Sequence, residues 1–203
     1  MILLFAVLAI AANTERLWTT YEYGKFSLRG PSDLTQDKGI KTSGLDKDYA
    51  TGWSYGVDET LTLLIPNFKG GASMIDFGEN SSTAELLRTN NVPNANSIVK
   101  QLPGYWGSQP GTSGPVYAGA IVLFLFVLSL FLIKGSLRTW IISATIFSIL
   151  LSWGRNFMPL TSFFLDYFPG YNKFRTVSMI LVIASFCIPL LASIGLHKMI
   201  TEE

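Results

Sequence analysis

Lys173 and Arg175 lie in "FPGYNKFRTVSMILV" (168–182), where a Pro-Gly break hands an aromatic segment over to a long apolar run. Cations at such a place can do one of two things. They can anchor a helix at a lipid–water boundary, with their stems in the apolar layer and their charges in water. Or they can hold an anion at headgroup depth, Arg through its planar fork and Lys as a point charge. Arg155 could join them, and Phe163, Phe164, Tyr167, Phe168 and Tyr171 supply aromatic surface alongside. Asp166 is the carboxylate of this segment. It is a weak candidate for a catalytic base, and pairing with Arg155 or Arg175 to hold the loop is the structural alternative.

The elements that must position these residues are apolar. About half of the sequence is hydrophobic (49%) and only 14% is charged, an unusual balance for a soluble domain and an ordinary one for a membrane protein. The apolar residues come in runs at 116–133, 139–153 and 176–196. A span needs roughly 20 such residues, so the first and third qualify and the second is slightly short. Trp140 and Trp153 bracket the second as interfacial aromatics do. Pro189 predicts a kink inside the third. Residues 1–12 read either as the end of a transmembrane helix or as a signal-like segment that lacks a basic flank. Between runs two and three, Pro159 and Pro169 bracket "LTSFFLDYF", which predicts a short interfacial or re-entrant helix within 154–175. The predicted fold is therefore mainly α, a polytopic membrane protein. Its transmembrane helices are joined to a large, mixed, loop-rich extracytoplasmic segment, 13–115, and it ends in a cytoplasmic tail, 197–203.

Within 13–115 the spacing predicts an amphipathic helix over 14–29 ending at Gly30-Pro31, loop over 31–58, a strand at "TLTLLIP" (60–66) and a Ser- or Thr-capped helix at 81–88. The polar part ends near Gly114-Pro115. Asp46 and Asp48 could touch a metal or a sugar, or simply be solvated along with Glu22, Asp58 and Glu59. Trp53, Tyr55, Tyr105 and Trp106 could stack on sugar rings, form a small loop core or rest on the bilayer. Lys69-Gly70-Gly71 lacks the spacing and hydroxyl of a phosphate-binding loop. One histidine, His197, and one cysteine, Cys187, do not make a protein metal site of the usual kind; a divalent metal is not indicated. Cys187 reads as a buried small hydrophobe. With a net charge of +1, nothing in the sequence suggests a nucleic-acid footprint. The positive-inside rule ties: Lys134, Arg138 and Lys198 on one side equal Arg155, Lys173 and Arg175 on the other. A large polar loop suits export, which places 13–115 and 154–175 outside and makes Arg155, Lys173 and Arg175 cations against the usual bias.

The stretches "ANTERLWTTYEYGKFSLRG", "GLDKDYATGWSYG", "TLLIPNFKGG", "YWGSQPGTSGPVYAGAIV" and "LLSWGRNFMPLTSFFLDYFPGYNKFRTVSM" together resemble the YfhO-like bacterial membrane proteins of the Bacteroidetes type. The resemblance runs along nearly the whole chain, and the last stretch is the most specific. It implies an internal segment of a longer protein of the bacterial inner membrane, similar to the GT-C glycosyltransferases. Such enzymes take a sugar from a polyprenyl-phosphate donor to modify a cell-envelope acceptor. Arg155, Lys173, Arg175 and Tyr171 would then bind the donor phosphate and sugar, and the cations would offset charge developing on the phosphate leaving group. The superfamily's usual catalytic carboxylate would precede this chain, so no catalytic base is assigned here, and the segment alone would be inactive because the spans that close the site lie outside it. A lipid-linked substrate transporter or flippase would use the same cations without a base. A non-catalytic envelope assembly protein would use 13–115 to hold a partner.

Overall fold

The computed structural model describes residues 2–27, 30, 44–112 and 116–201. Its helices are α1 (Ile2–Ala12), α2 (Thr14–Gly24), α3 (Lys47–Ala50), α4 (Ser82–Thr89), α5 (Ala95–Val99), α6 (Ala120–Leu132), α7 (Ser136–Ser152), α8 (Met158–Tyr167) and α9 (Leu181–Thr201). The fold is thus mainly helical, and among the described residues β pairing is confined to the isolated bridges Phe68–Gly70, Gly70–Tyr105 and Ile75–Leu102. The predicted helix end at Gly30-Pro31, residues 31–43 of the loop expected over 31–58, and the division at Gly114-Pro115 fall wholly or partly outside the described residues; in the rest of that expected loop Lys47–Ala50 is helical. Internal contacts divide the chain into two units, Met1–Thr51 with Pro159–Arg175, and Gly52–Met158 with Thr176–Glu203.

In the second unit, α9 packs along both α6 and α7. Leu181, Ala184 and Ile188 form one buried cluster with Tyr55, and Cys187 and Leu191 form another with Ile133 and Ile141. Gly195 lets α9 approach α6 closely, because a Cβ there would overlap the Ser129 hydroxyl. Hydroxyls inside the bundle are satisfied by backbone: Ser129 donates to Leu125 O (2.6 Å), Thr145 to Ile141 O (2.8 Å) and Ser148 to Ile180 O (2.8 Å). A 3-10 turn, Val177–Ile180, leads into α9, so that Val177–Thr201 runs for 25 residues. Among the described residues it is the one unbroken helix long and apolar enough to cross a membrane. It continues through Pro189, whose carbonyl accepts from the Ser193 hydroxyl at 2.8 Å. The run at 116–133 yields a shorter helix than its composition predicts. Gly119 (φ +97°) delays the start to Ala120, and Ile133 is extended, leaving 13 helical residues. At 1.5 Å per residue that is about 20 Å, against a hydrocarbon layer of about 30 Å.

The strand expected at 60–66 does not form. Asp58–Leu63 is a 3-10 helix, and the Leu64 and Ile65 amides both donate back to Leu61 O, at 3.0 and 2.8 Å. A strand needs a ladder partner. Here the tertiary partners are single: Trp153 Nε1 donates to Thr60 Oγ1 (2.9 Å) and the Ala118 amide to Leu63 O (3.1 Å). The expected short helix at 81–88 forms as α4, with Ser81 Oγ accepting from the Ala84 amide at 3.2 Å.

In the first unit, α1 and α2 meet at Asn13, and their apolar side chains stay exposed: Leu3, Phe5, Leu17, Trp18 and Tyr21 among them. The core of this unit is Leu45, Ala50 and Leu165, with Tyr171 packed against it. α8 carries Pro159 at its second position, where a missing N–H costs nothing, and stops at Tyr167, two residues before Pro169.

Candidate functional site

The first unit contains a cavity of about 560 Å³ lined by Tyr21, Tyr23 and Lys25 from the end of α2 and its turn, and by Lys173 and Phe174 from beyond α8. The sequence sets both walls. The Phe168–Tyr171 turn is closed by the Tyr171 amide on Phe168 O (3.2 Å), with Gly170 at φ +79°, ψ −10°, the left-handed corner a type II turn demands. That turn passes into the 3-10 turn Tyr171–Lys173. On the other wall Lys25 Nζ lies 5.5 Å from the centre of the Tyr21 ring, within cation–π range. Lys25 and Lys173 thus share one cavity lining with Tyr21, Tyr23 and Phe174, a combination of cationic and aromatic residues.

The other candidates of this unit lie apart from the cavity lining. Arg175 donates to Tyr49 Oη at 2.7 Å, its guanidinium 5.2 Å from the ring centre. Tyr49 sits on α3, whose N-cap Asp46 accepts from the Asp48 and Tyr49 amides at 2.9 and 3.2 Å. Asp46 is thus a helix cap. Tyr171 packs on Phe164 (5.6 Å between ring centres), and burial pushes its phenol pKa up. Its buried Oη has no partner among the described residues. Asp166 pairs with Lys47 at 2.7 Å, rather than with either arginine that the sequence offered it. Arg155 belongs to the second unit. Its amide donates to Ser54 Oγ (2.8 Å) and its guanidinium to Gly52 O (3.4 Å). Only Lys173 of the predicted donor-binding set therefore lines the cavity, and Lys25, which the sequence did not single out, joins it.

The second unit holds a buried acid that the sequence grouped with solvated ones. Glu59 is 0% exposed. Its Oε1 accepts from Tyr105 Oη at 2.6 Å and from Gln109 Nε2 at 3.3 Å, and its Oε2 from the Gly56 amide at 3.0 Å. Gln109 Oε1 accepts in turn from the Ser178 hydroxyl at 3.0 Å. Burial, reinforced by the Glu59 carboxylate, pushes the Tyr105 phenol up to about 12; burial likewise takes Tyr55 to about 12, partly offset by Thr62. Neighbouring Asp58 turns outward to Lys69, which holds its carboxyl below the usual range. No local signal in the sequence separated the two acids: Glu59 precedes "TLTLL", of which only Thr62 and Leu63 are buried. Among the described residues no three His, Cys, Asp or Glu side chains converge as a metal site would require.

Compared with protein-family models, curated proteins and solved structures, the chain matches none.

Proposed function

We propose that this chain is a segment of a polytopic bacterial inner-membrane protein, akin to the YfhO-like family, that holds a polyprenyl-phosphate-linked sugar for transfer to an envelope acceptor. The observation that carries the reading is the cavity in which Lys25 and Lys173 face aromatic walls. A phosphate at headgroup depth would meet the two ammonium groups, and its prenyl chain would meet apolar surface. The membrane setting is supported by large apolar side chains left exposed in each unit taken by itself: Leu3 on α1 (82% exposed) in the first, and Ile121 and Phe131 on α6 (77% and 75%) and Val182 and Ile200 on α9 (69% each) in the second. The part played by these residues is donor binding, because among the described residues no carboxylate lines the cavity, and Asp166, apart from it, is engaged by Lys47.

The test measures binding of a polyprenyl monophosphate and of the corresponding polyprenol to the full-length protein in nanodiscs. Each lysine contributes about 1 kcal/mol toward an anionic headgroup, so a Lys25→Ala/Lys173→Ala variant loses about 2 kcal/mol, roughly 30-fold in affinity, for the phosphate alone. Equal affinity for phosphate and alcohol, or an unaffected variant, removes the proposal. Sugar release from a glycosylated donor then distinguishes transfer from movement of the intact lipid between leaflets.

A further inference from the structure

We infer that the second unit carries a separate binding site for a neutral sugar ring, in a cleft of about 350 Å³ lined by Trp53, Tyr55, Gln109, Thr112, Ser178 and Met179. The inference goes beyond the lipid-phosphate reading and stands if that reading fails.

The cleft is built from three stretches distant in sequence, and hydrogen bonds fix each to the next. Trp53 Nε1 donates to Gly111 O at 3.0 Å. The Ser178 amide donates to Trp53 O at 3.2 Å, and the Ser178 hydroxyl to Gln109 Oε1 at 3.0 Å. Gln109 Nε2 is held from behind by Glu59 and by Tyr105 Oη (3.4 Å). A pocket fixed in this way loses little freedom when a ligand enters. Its volume lies at the small end of the range for organic ligands.

The chemistry of the lining selects the ligand. Among the described residues no charged side chain lines the cleft, which favours a neutral ligand over an ion. Both Gln109 N–H groups point to Glu59 and Tyr105, which leaves this amide offering acceptor capacity on Oε1. The Ser178 hydroxyl, committed as a donor to Gln109, likewise has lone pairs left to accept. A ligand that fits brings its own O–H donors and an apolar ring face for Trp53, which describes a pyranose. Glu59 does not touch this ligand; it orients Gln109 and is a positioning residue.

Backbone strain marks the same place. Thr176, on the cleft wall, sits at φ +74°, ψ +68°. A β-branched residue in the left-handed region is a genuine outlier, and such outliers concentrate at ligand sites.

The test is saturation-transfer NMR on the full chain in nanodiscs, with methyl glycosides of glucose, galactose, mannose and N-acetylglucosamine as probes and choline as the cationic control. At least one glycoside should receive saturation, and choline none. Met179→Trp fills the cleft from an exposed position without removing a hydrogen bond, and should abolish transfer while leaving the thermal midpoint unchanged. Gln109→Ala should weaken binding at least tenfold, and Lys25→Ala/Lys173→Ala should leave it unaltered. No transfer to any glycoside at tens of millimolar, preference for choline, or full binding by Met179→Trp overturns the inference.

Discussion

Removing one hydroxyl from the buried carboxylate is the sharpest perturbation available. Tyr105→Phe deletes the 2.6 Å donor to Glu59 Oε1 and also the acceptor of the Gln109 amide, 3.2 Å away. A hydrogen bond to a charged group contributes about 1.5–3 kcal/mol, and the neutral one about 1 kcal/mol. Since Glu59 is 0% exposed, water does not replace the lost donor. The expected loss is about 2–4 kcal/mol, or roughly 5–15 °C in thermal midpoint for a chain of this size. Near-ultraviolet circular dichroism of the full chain in detergent would follow the midpoint, and denaturant titration the free energy. The decisive measurement is the double-mutant cycle with Glu59→Ala. Once the carboxylate is gone, Tyr105→Phe should cost little more than its bond to Gln109, leaving a coupling of about 1.5 kcal/mol or more. Costs that add to within about 0.5 kcal/mol would refute the idea that the phenol supports the acid.

Tyr55 and Tyr105 make the second unit base-sensitive. Their folded pKa values of about 12 lie above the ordinary value of 10.0, so their stabilisation is complete below pH 10 and is lost as pH rises from 10 to 12. A phenolate absorbance titration should show Tyr55, Tyr105 and Tyr171 among the late-ionising members of the eight tyrosines, and Tyr55→Phe and Tyr105→Phe should each remove one late titrant. Gly195→Ala should destabilise by about 1–3 kcal/mol through overpacking against Ser129, and Ser129→Gly in the same chain should recover part of it in a thermal scan. Asp166→Asn should cost at most about 1 kcal/mol in the same scan, since its pair with Lys47 is part-exposed, and it should leave donor binding unchanged.

The helices were legible where one local rule sufficed. Apolar runs located α6, α7 and α9, Ser81 announced α4, and the two prolines framed α8. What escaped depended on partners far along the chain. "TLTLLIP" has the composition of a strand but no neighbour to form a ladder with, so its amides fold back on Leu61. α6 is cut short by backbone geometry at Gly119 and Ile133 that hydropathy does not encode. At the site, Lys173 was legible from its place beside the Pro-Gly break. Lys25 was not, because nothing local ties residue 25 to residue 173. Glu59 and Asp58 are adjacent and of the same type, yet one is sealed among Tyr105, Gln109 and Gly56 and the other meets Lys69.

The carboxylate nest also imposes an order on biogenesis. The groups that make Glu59 tolerable without water arrive 46 and 50 positions later, and Ser178, which locks Gln109, a further 69. At synthesis rates of about 5–20 residues per second, Gln109 emerges roughly 3–10 s after Glu59, and Ser178 roughly 4–14 s after that. Until Tyr105 and Gln109 emerge the acid must remain hydrated, so this region stays open for the first of those intervals. Ser178 then locks Gln109 in a second, later step, and a chain stalled before Gln109 should be recognisable by protease cleavage between Gly52 and Tyr105.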